Sequence, residues 1–485
     1  MNTHFNHRGE NLASRFLETA SHYPDRPALE KGNIVISYRE LADTSQNIAR
    51  AIMTSGDDRP FVAVMADKSP ECYSAILGIL LTGKGYLPLN PRFPEARNRF
   101  MLEKAGICTL IKSGSLEFLE PVIRPDAKPD PAYLLFTSGT TGEPKGVQIS
   151  HGNVCSYLDF MLRSYDFSPE DRFTQNFDLT FDLSVHDLFL CWSVGACLCV
   201  PEDGSSFSMA RFIKEIKPTA WFSVPSVAML MDRMRLLKPG AFPGIRLSFF
   251  CGEPLYVKTA EAWRNAAPSS RIINLYGPTE ATIAISHYEL PTGLIKIKEE
   301  LGIVSIGKVF ENNRFIIHNA DNSGKGELCL TGPQVTEGYF DNPAADQQSF
   351  FIHKKTFEKC YNTGDLVRVD HENDLFYLGR SDSEVKISGY RVNLREIENV
   401  LNTYDRVDQA VVYYEADAGG EQVLLAFILP EAGEELSEAD VTGFCRMRLP
   451  WYMVPGKIIF VSDLPLNANG KVDRAAILEK YRYAE

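Results

Sequence analysis

The sequence predicts an α/β fold: a large N-terminal α/β body with an appended β-rich subdomain at about 300–380, and a small C-terminal α/β lobe. Three observations carry this. The chain has 485 residues, 44% hydrophobic and 23% charged, enough for about three domain-sized units. From Phe61 to Pro201, apolar strand-like runs (Phe61–Met65, Tyr133–Thr137, Cys197–Pro201) alternate with helical spacing, as in buried sheets covered by helices. Beyond Gly379-Arg-Ser-Asp382 the rhythm restarts for about 100 residues, which divides the chain into 1–381 and 382–485 with a hinge at Asp382.

The elements follow in order. Leu12–Ser21 has helical apolar spacing, Val35–Tyr38 is a short strand-like run, and Arg39–Ile52 is helical again. After the α/β body, Arg314–Leu378 is β-rich, with turn signals at Asn322-Ser-Gly324, Gly332-Pro333 and Asn342-Pro343, and reads as a small barrel or sheet. In the last lobe come a helix at Leu394–Asn402, strands at Gln409–Tyr414 and Val423–Leu429, and a helix from Ser437; Asp417-Ala-Gly-Gly420 marks a turn.

A net charge of -13, from 50 basic and 63 acidic residues, lacks the footprint of a nucleic-acid binder. The stretch Met1–Arg8 is polar and does not read as a signal peptide, and the apolar run Ala75–Leu81 is far too short to span a bilayer. The ten cysteines are scattered, only Cys197 and Cys199 standing close together, which matches neither a disulfide framework nor zinc spacing. Reduced thiols in the cytoplasm are the expectation.

Four segments carry chemistry. Phe136-Thr-Ser-Gly-Thr-Thr-Gly-Glu-Pro-Lys-Gly146 combines glycines, hydroxyls and one lysine, the composition of a loop that wraps the outer phosphates of ATP. A flexible surface loop is the plainer alternative. Neither Gly-Lys-Ser/Thr nor Gly-x-Gly-x-x-Gly is present, so kinase and dehydrogenase readings lose their main support. In Asn274-Leu-Tyr-Gly-Pro-Thr-Glu-Ala281, Tyr276 suits the face of a purine and Glu280 a phosphate-bound Mg²⁺, the alternative being a structural turn. Tyr361-Asn-Thr-Gly-Asp-Leu366 places Asp365 after a strand, where a carboxylate accepts hydrogen bonds from both ribose hydroxyls or closes an Asx turn. Asn467-Ala-Asn-Gly-Lys-Val-Asp-Arg474 is a turn that holds Lys471 toward a partner surface or simply in solvent.

In this order the four pieces resemble the adenylate-forming superfamily of acyl-CoA synthetases, adenylation domains of nonribosomal peptide synthetases, and luciferases. The resemblance covers nearly the whole chain. It also rests on Ile36-Ser-Tyr-Arg-Glu-Leu41, Gly85-Tyr-Leu-Pro-Leu-Asn90, Gly326-Glu-Leu-Cys-Leu-Thr-Gly332, Gly389-Tyr-Arg391 and Leu449-Pro-Trp-Tyr-Met-Val-Pro455. It implies a two-step ligase: a carboxylate attacks the α-phosphate of Mg-ATP, pyrophosphate leaves, and the acyl adenylate passes to a thiol. By the resemblance Thr137, Ser138, Gly139, Thr140, Thr141 and Lys145 clamp the pyrophosphate. Gly252, Glu253, Asn274 and Tyr276 frame adenine, and Asp365 with Arg380 holds ribose. Lys471, Glu280 and Thr279 form the catalytic set, Glu280 also holding Mg²⁺. The small lobe is mobile and turns about Asp382, withdrawing Lys471 and opening a thiol channel.

The substrate class follows from the same resemblance. In amino-acid-activating members an aspartate at the position of Asp182 pairs with the substrate ammonium; a cap on the following helix is the alternative. The remaining pocket positions are Leu183, His186, Ser223, Phe249, Cys251, Leu275, Ile283 and Ala284. Bulky Phe249 and Leu275 favour a small α-amino acid such as alanine, glycine or serine, and His186 either bonds the substrate or is a satisfied core histidine. Val147-Gln-Ile-Ser150, Phe250-Cys-Gly-Glu253 and the Asp182–Asp187 region look most like stand-alone D-alanine:carrier protein ligases; ligases for L-alanine, glycine or proline share much of the pattern. The sequence ends 14 residues after Lys471 without a carrier motif, so the expected thiol is the phosphopantetheine of a separate carrier protein. An acyl- or aryl-CoA ligase and an inactive nucleotide-binding homologue are the competing readings.

Overall fold

The computed structural model describes residues 11–120, 127–138, 144–202, 206–292, 296–321, 323–381, 384–416, 422–431, 433–465 and 474–481. Met1–Arg8, Gly139, Thr140, Thr141, Asn322, Asp382, Asp417–Gly420 and Lys471, all singled out above, lie outside them. Two compact units are present: Met1–Pro91 with Met101–Phe136 and Lys145–Asp382, and Arg92–Phe100 with Thr137–Pro144 and Ser383–Glu485.

The first unit is built on two largely parallel sheets. One has nine strands in the order Lys308–Val309, Ser286–Glu289, Arg271–Tyr276, Leu247–Phe250, Ala220–Ser223, Arg172–Thr174, Cys197–Val200, Pro27–Lys31, Ile34–Ser37. Its six central strands are parallel and its edges antiparallel. The other runs Ser115–Phe118, Thr109–Lys112, Phe61–Met65, Gly85–Leu89, Pro131–Thr137, Lys145–Ser150. Strands such as Cys197–Val200 and Ala220–Ser223 are buried throughout, which is why they read as unbroken apolar runs.

Local chemistry sets the helices. Asn11 caps Leu12–His22, and Ser37 with Glu40 closes a capping box on Tyr38–Ser55, which Gly56 ends in a left-handed turn (φ 75°). The apolar run Ala75–Leu81 lies in the helix Pro70–Leu81, buried from Cys72 onward. Among the described residues no helix is long and apolar enough to cross a membrane. The β-rich stretch is an antiparallel sheet, Arg314–His318, Lys325–Thr331, Lys359–Val369 and Phe350–Ile352, with Leu375–Arg380 paired to Lys359–Val369. Asp365 lies inside Lys359–Val369 rather than after a strand: Gly364 (φ 73°) bends the backbone, but pairing resumes at once with Asp365 opposite Arg380.

The second unit pairs Val407–Ala416 antiparallel and Lys457–Phe460 parallel to Gln422–Pro430. Ser437 is the N-cap of Glu438–Arg446, with Asp440 completing a capping box. Two short stretches from the earlier part of the chain belong to this unit through specific bonds. Arg97 Nη1 lies 2.8 Å from Glu396 Oε1, both side chains under a tenth exposed, and Ser138 Oγ donates to the Arg391 carbonyl at 2.7 Å.

Candidate active site

In open α/β sheets, ligands gather beyond the carboxyl ends of parallel strands. The nine-stranded sheet brings the expected residues to that edge. Ser223, Phe250 and Asn274 stand level on three adjacent parallel strands, so Cys251, Leu275 and Tyr276 share one end of the sheet. Gly252 follows with φ 90°, a conformation that favours glycine. Glu253 Oε2 accepts the Ser226 N–H at 2.9 Å, serving the first turn of the helix Pro225–Arg233. Asn274 is buried and its Nδ2 donates to the Ser305 carbonyl at 2.9 Å.

Two polar groups stand near this edge in the first unit. Tyr276 O–H donates to Asp365 Oδ2, and Arg380 Nη1 bonds Asp365 Oδ1 at 2.7 Å. Burial, and then the Asp365 charge, push the Tyr276 hydroxyl far above its ordinary range, so it stays a proton donor. Each carboxylate oxygen accepts more than one bond, so Asp365 keeps acceptor capacity for diol hydroxyls. In the second group, Tyr339 O–H donates to Glu280 Oε1 at 2.8 Å, and the Lys145 ammonium sits 5.0 Å from the centre of the Tyr339 ring. Lys145 and Glu280 are 5% and 1% exposed, so Tyr339 places a cation and a carboxylate in one buried neighbourhood. Thr279 opens the short 3₁₀ turn Thr279–Ala281 that carries Glu280. In the second unit, Thr137 ends its strand and Ser138 follows, buried.

Tyr339 was missed by sequence reasoning. Its place is fixed by a bridge to Val147 and by Asp346 Oδ1, which accepts its backbone N–H at 2.6 Å. A tyrosine after Glu337-Gly338 carries no local signal for either contact.

The residues expected to line a substrate pocket are all buried. Leu183, Phe249, Cys251, Leu275, Ile283 and Ala284 belong to one core cluster, whereas Ser223 shares the strand face of Trp221, which belongs to another, and its Oγ accepts the Trp221 indole N–H at 2.9 Å. Asp182 is 3% exposed at the N-cap position of the helix Leu183–Val194, yet its side chain makes no capping hydrogen bond. Capping therefore does not account for this aspartate.

His186 lies one turn along, its Nδ1 2.6 Å from Tyr157 O–H and its ring 4.2 Å from Phe222 and 5.3 Å from Phe249. Burial pushes its pKa down to about 3, so the imidazole is neutral. The unfolded histidine titrates near 6.5, so below about pH 6.5 only the unfolded chain takes up this proton, and stability falls toward pH 3 by about 1.4 kcal/mol per unit. Urea denaturation at about pH 5 is expected to show roughly 2 kcal/mol less stability from this group than at pH 7, and His186→Met is expected to remove that part of the slope.

The far wall is strained. Thr282 (φ 58°) and Ile283 (φ 70°) are consecutive non-glycine residues in the left-handed region, unusual above all for a β-branched side chain. Gln334, fully buried, holds them: Nε2 donates to the Ala284 carbonyl at 2.7 Å, Oε1 accepts from Asn313 Nδ2 at 2.9 Å, and Thr282 Oγ1 donates to the Gln334 carbonyl at 2.6 Å. Gly277 admits no side chain here, since a Cβ would fall 2.6 Å from the Ala284 Cα. Gln334→Leu is expected to lower stability by about 1–3 kcal/mol in chemical denaturation, because buried carbonyls and Asn313 lose their partner. The flagged turn Gly332-Pro333 was the only sequence cue to this residue.

Comparison with known proteins agrees with this geometry. The AMP-binding enzyme family matches residues 16–129 and 112–340, and the AMP-binding enzyme C-terminal domain matches 396–471. The chain is 31% identical over 493 residues to tyrocidine synthase 3 of Brevibacillus parabrevis, a match covering 95% of this chain but only 7% of that protein. It is 31% identical over 513 residues to the L-proline–L-prolyl-carrier protein ligase of Pseudomonas fluorescens, covering 96% of this chain and 98% of the relative. The Vibrio cholerae adenylation domain AlmE, solved in complex with glycyl-adenosine-5′-phosphate, superposes with a TM-score of 0.84 at 27% identity, covering 98% of this chain and 99% of that one. The chain belongs to the AMP-binding enzyme family, and with it to the adenylate-forming superfamily that its motifs resemble.

Proposed function

We propose that this protein activates a small α-amino acid with Mg-ATP and transfers the aminoacyl group to the phosphopantetheine thiol of a separate carrier protein. The observation that carries the reading is Asp182, a carboxylate 3% exposed beside the apolar wall. A substrate ammonium is a fitting further partner for this buried carboxylate, beside the contacts it already makes within the protein. The likeness to a prolyl-carrier protein ligase and to a domain holding a glycyl adenylate supports the amino-acid class. Phe249, packed against His186, and Leu275 narrow the wall toward alanine, glycine or serine.

The chemistry asks mainly for positioning and charge stabilisation. Asp365, oriented by Tyr276 and Arg380, receives the ribose diol. Lys145 meets the departing pyrophosphate as a point charge, with Thr137, Ser138, Gly139, Thr140 and Thr141 supplying hydroxyl and backbone donors. Glu280 fits Mg²⁺: it is a buried hard-oxygen donor oriented by Tyr339, and this ion takes one or two carboxylates with the rest of its shell from phosphate and water. When bound, Mg²⁺ neutralises phosphate charge. Lys471 bridges the substrate carboxylate and the α-phosphate in the first step, and the lobe then turns about Asp382 to admit the carrier thiol.

The test is ATP–pyrophosphate exchange across the L- and D-amino acids and glycine, with benzoate, acetate and hexanoate as controls. Exchange confined to one small amino acid supports the reading and names the substrate. Exchange only with the plain acids turns it into an acyl- or aryl-CoA ligase and removes the role given to Asp182.

A further inference from the structure

Away from the adenylation site, the nine-stranded sheet gathers three metal-ligating side chains that the chemistry above does not use. The strand Cys197–Val200 lies between Arg172–Thr174 and Pro27–Lys31, with Cys197 level with Arg172 and Cys199 level with Glu30. Side chains alternate along a strand and level residues share a face, so all four project from the same side of the sheet. One oxygen of Glu30 and both thiol sulphurs lie within 4.8 Å of one another. Arg172 reaches across the cysteine strand to Glu30, Nη2 to Oε2 at 2.8 Å.

A disulfide does not suit this pair. Same-face neighbours on a strand stand two rises apart, roughly 6.6 Å, whereas a disulfide wants its Cβ atoms about 3.5–4.5 Å apart. A tetrahedral ion with metal–sulphur bonds of about 2.3 Å holds its sulphurs roughly 3.8 Å apart, a separation compatible with ligand atoms that already lie within 4.8 Å of one another. Charge points the same way. Two thiolates and a carboxylate against a divalent cation leave one negative charge, and the Arg172 guanidinium stands beside Glu30 to balance it.

The Ile216 carbonyl accepts Arg172 Nε at 2.8 Å, which fixes the guanidinium beside Glu30. We propose that Glu30, Cys197 and Cys199 bind one thiophilic divalent cation of the zinc class, with Arg172 as its counter-charge and water in the fourth tetrahedral position. Thiolate with carboxylate selects zinc over magnesium or calcium, and the bound ion ties two neighbouring strands of the sheet.

The full chain, reduced and freed of metal, would be titrated with Zn²⁺ against a chromophoric chelator and with Co²⁺ followed by thiolate charge-transfer absorption. One equivalent with thiolate bands is expected in the wild type, and neither in Cys197→Ser/Cys199→Ser. Glu30→Gln, at a partly exposed position that leaves both thiols in place, is expected to weaken Zn²⁺ binding by tenfold or more. Zinc should also raise the Tm of the wild type and leave that of Cys199→Ser unchanged. Failure of the wild type to hold one equivalent would overturn the site, as would unchanged affinity in both the double cysteine variant and Glu30→Gln.

Discussion

Asp182→Asn is expected to lower amino-acid-dependent ATP–pyrophosphate exchange by about 10²- to 10⁴-fold, because removing one partner of a buried ion pair costs roughly 3–5 kcal/mol. The substitution keeps size and shape, so the loss should fall on the amino acid: its KM rises steeply while the KM for ATP holds. The Asp182 side chain does not cap the helix it precedes, and denaturation midpoints near the wild type would separate a lost substrate contact from a lost fold. Equal loss of affinity for ATP and amino acid would make Asp182 a structural residue. Full activity would remove the ammonium partner altogether.

The second large effect is expected at Lys471, outside the described residues, in the segment Asn467–Arg474. Lys471→Ala should reduce adenylate formation by about 10²–10³-fold, the size of effect found when one preorganised donor to a developing charge is removed. Transfer from a preformed aminoacyl adenylate to carrier thiol should stay within a few-fold, because in the proposed cycle the lysine acts only in the first conformation. Single-turnover assays of the two half-reactions measure this directly. Matching losses in both would refute the division of labour, whatever the substrate proves to be.

These two predictions draw on different parts of the molecule. Lys471 and Asp182 are both legible through the family resemblance, and the structure adds that Asp182 stands at an N-cap position without a side-chain cap bond. His186 shows the same division. Its sequence position left substrate contact and core packing open, and the structure gives its Nδ1 to Tyr157, 29 residues away, among Phe222 and Phe249.

The chain's local chemistry determined the α/β class, the helix starts at Asn11, Ser37 and Ser437, and the apolar buried strands. Capping, pleat periodicity and turn chemistry act over two to seven residues and are written in the order of the residues. What the tertiary structure alone decided was which of these meet. Tyr339 joins Glu280 through the bridge to Val147, Gln334 holds the strained Thr282–Ile283 turn, and Glu30 faces Cys197 and Cys199 through the register of two parallel strands. Such partners lie tens to more than a hundred residues apart. Their pairing is fixed by strand order and sheet register, which depend on burying the whole sheet at once and not on any short stretch of sequence.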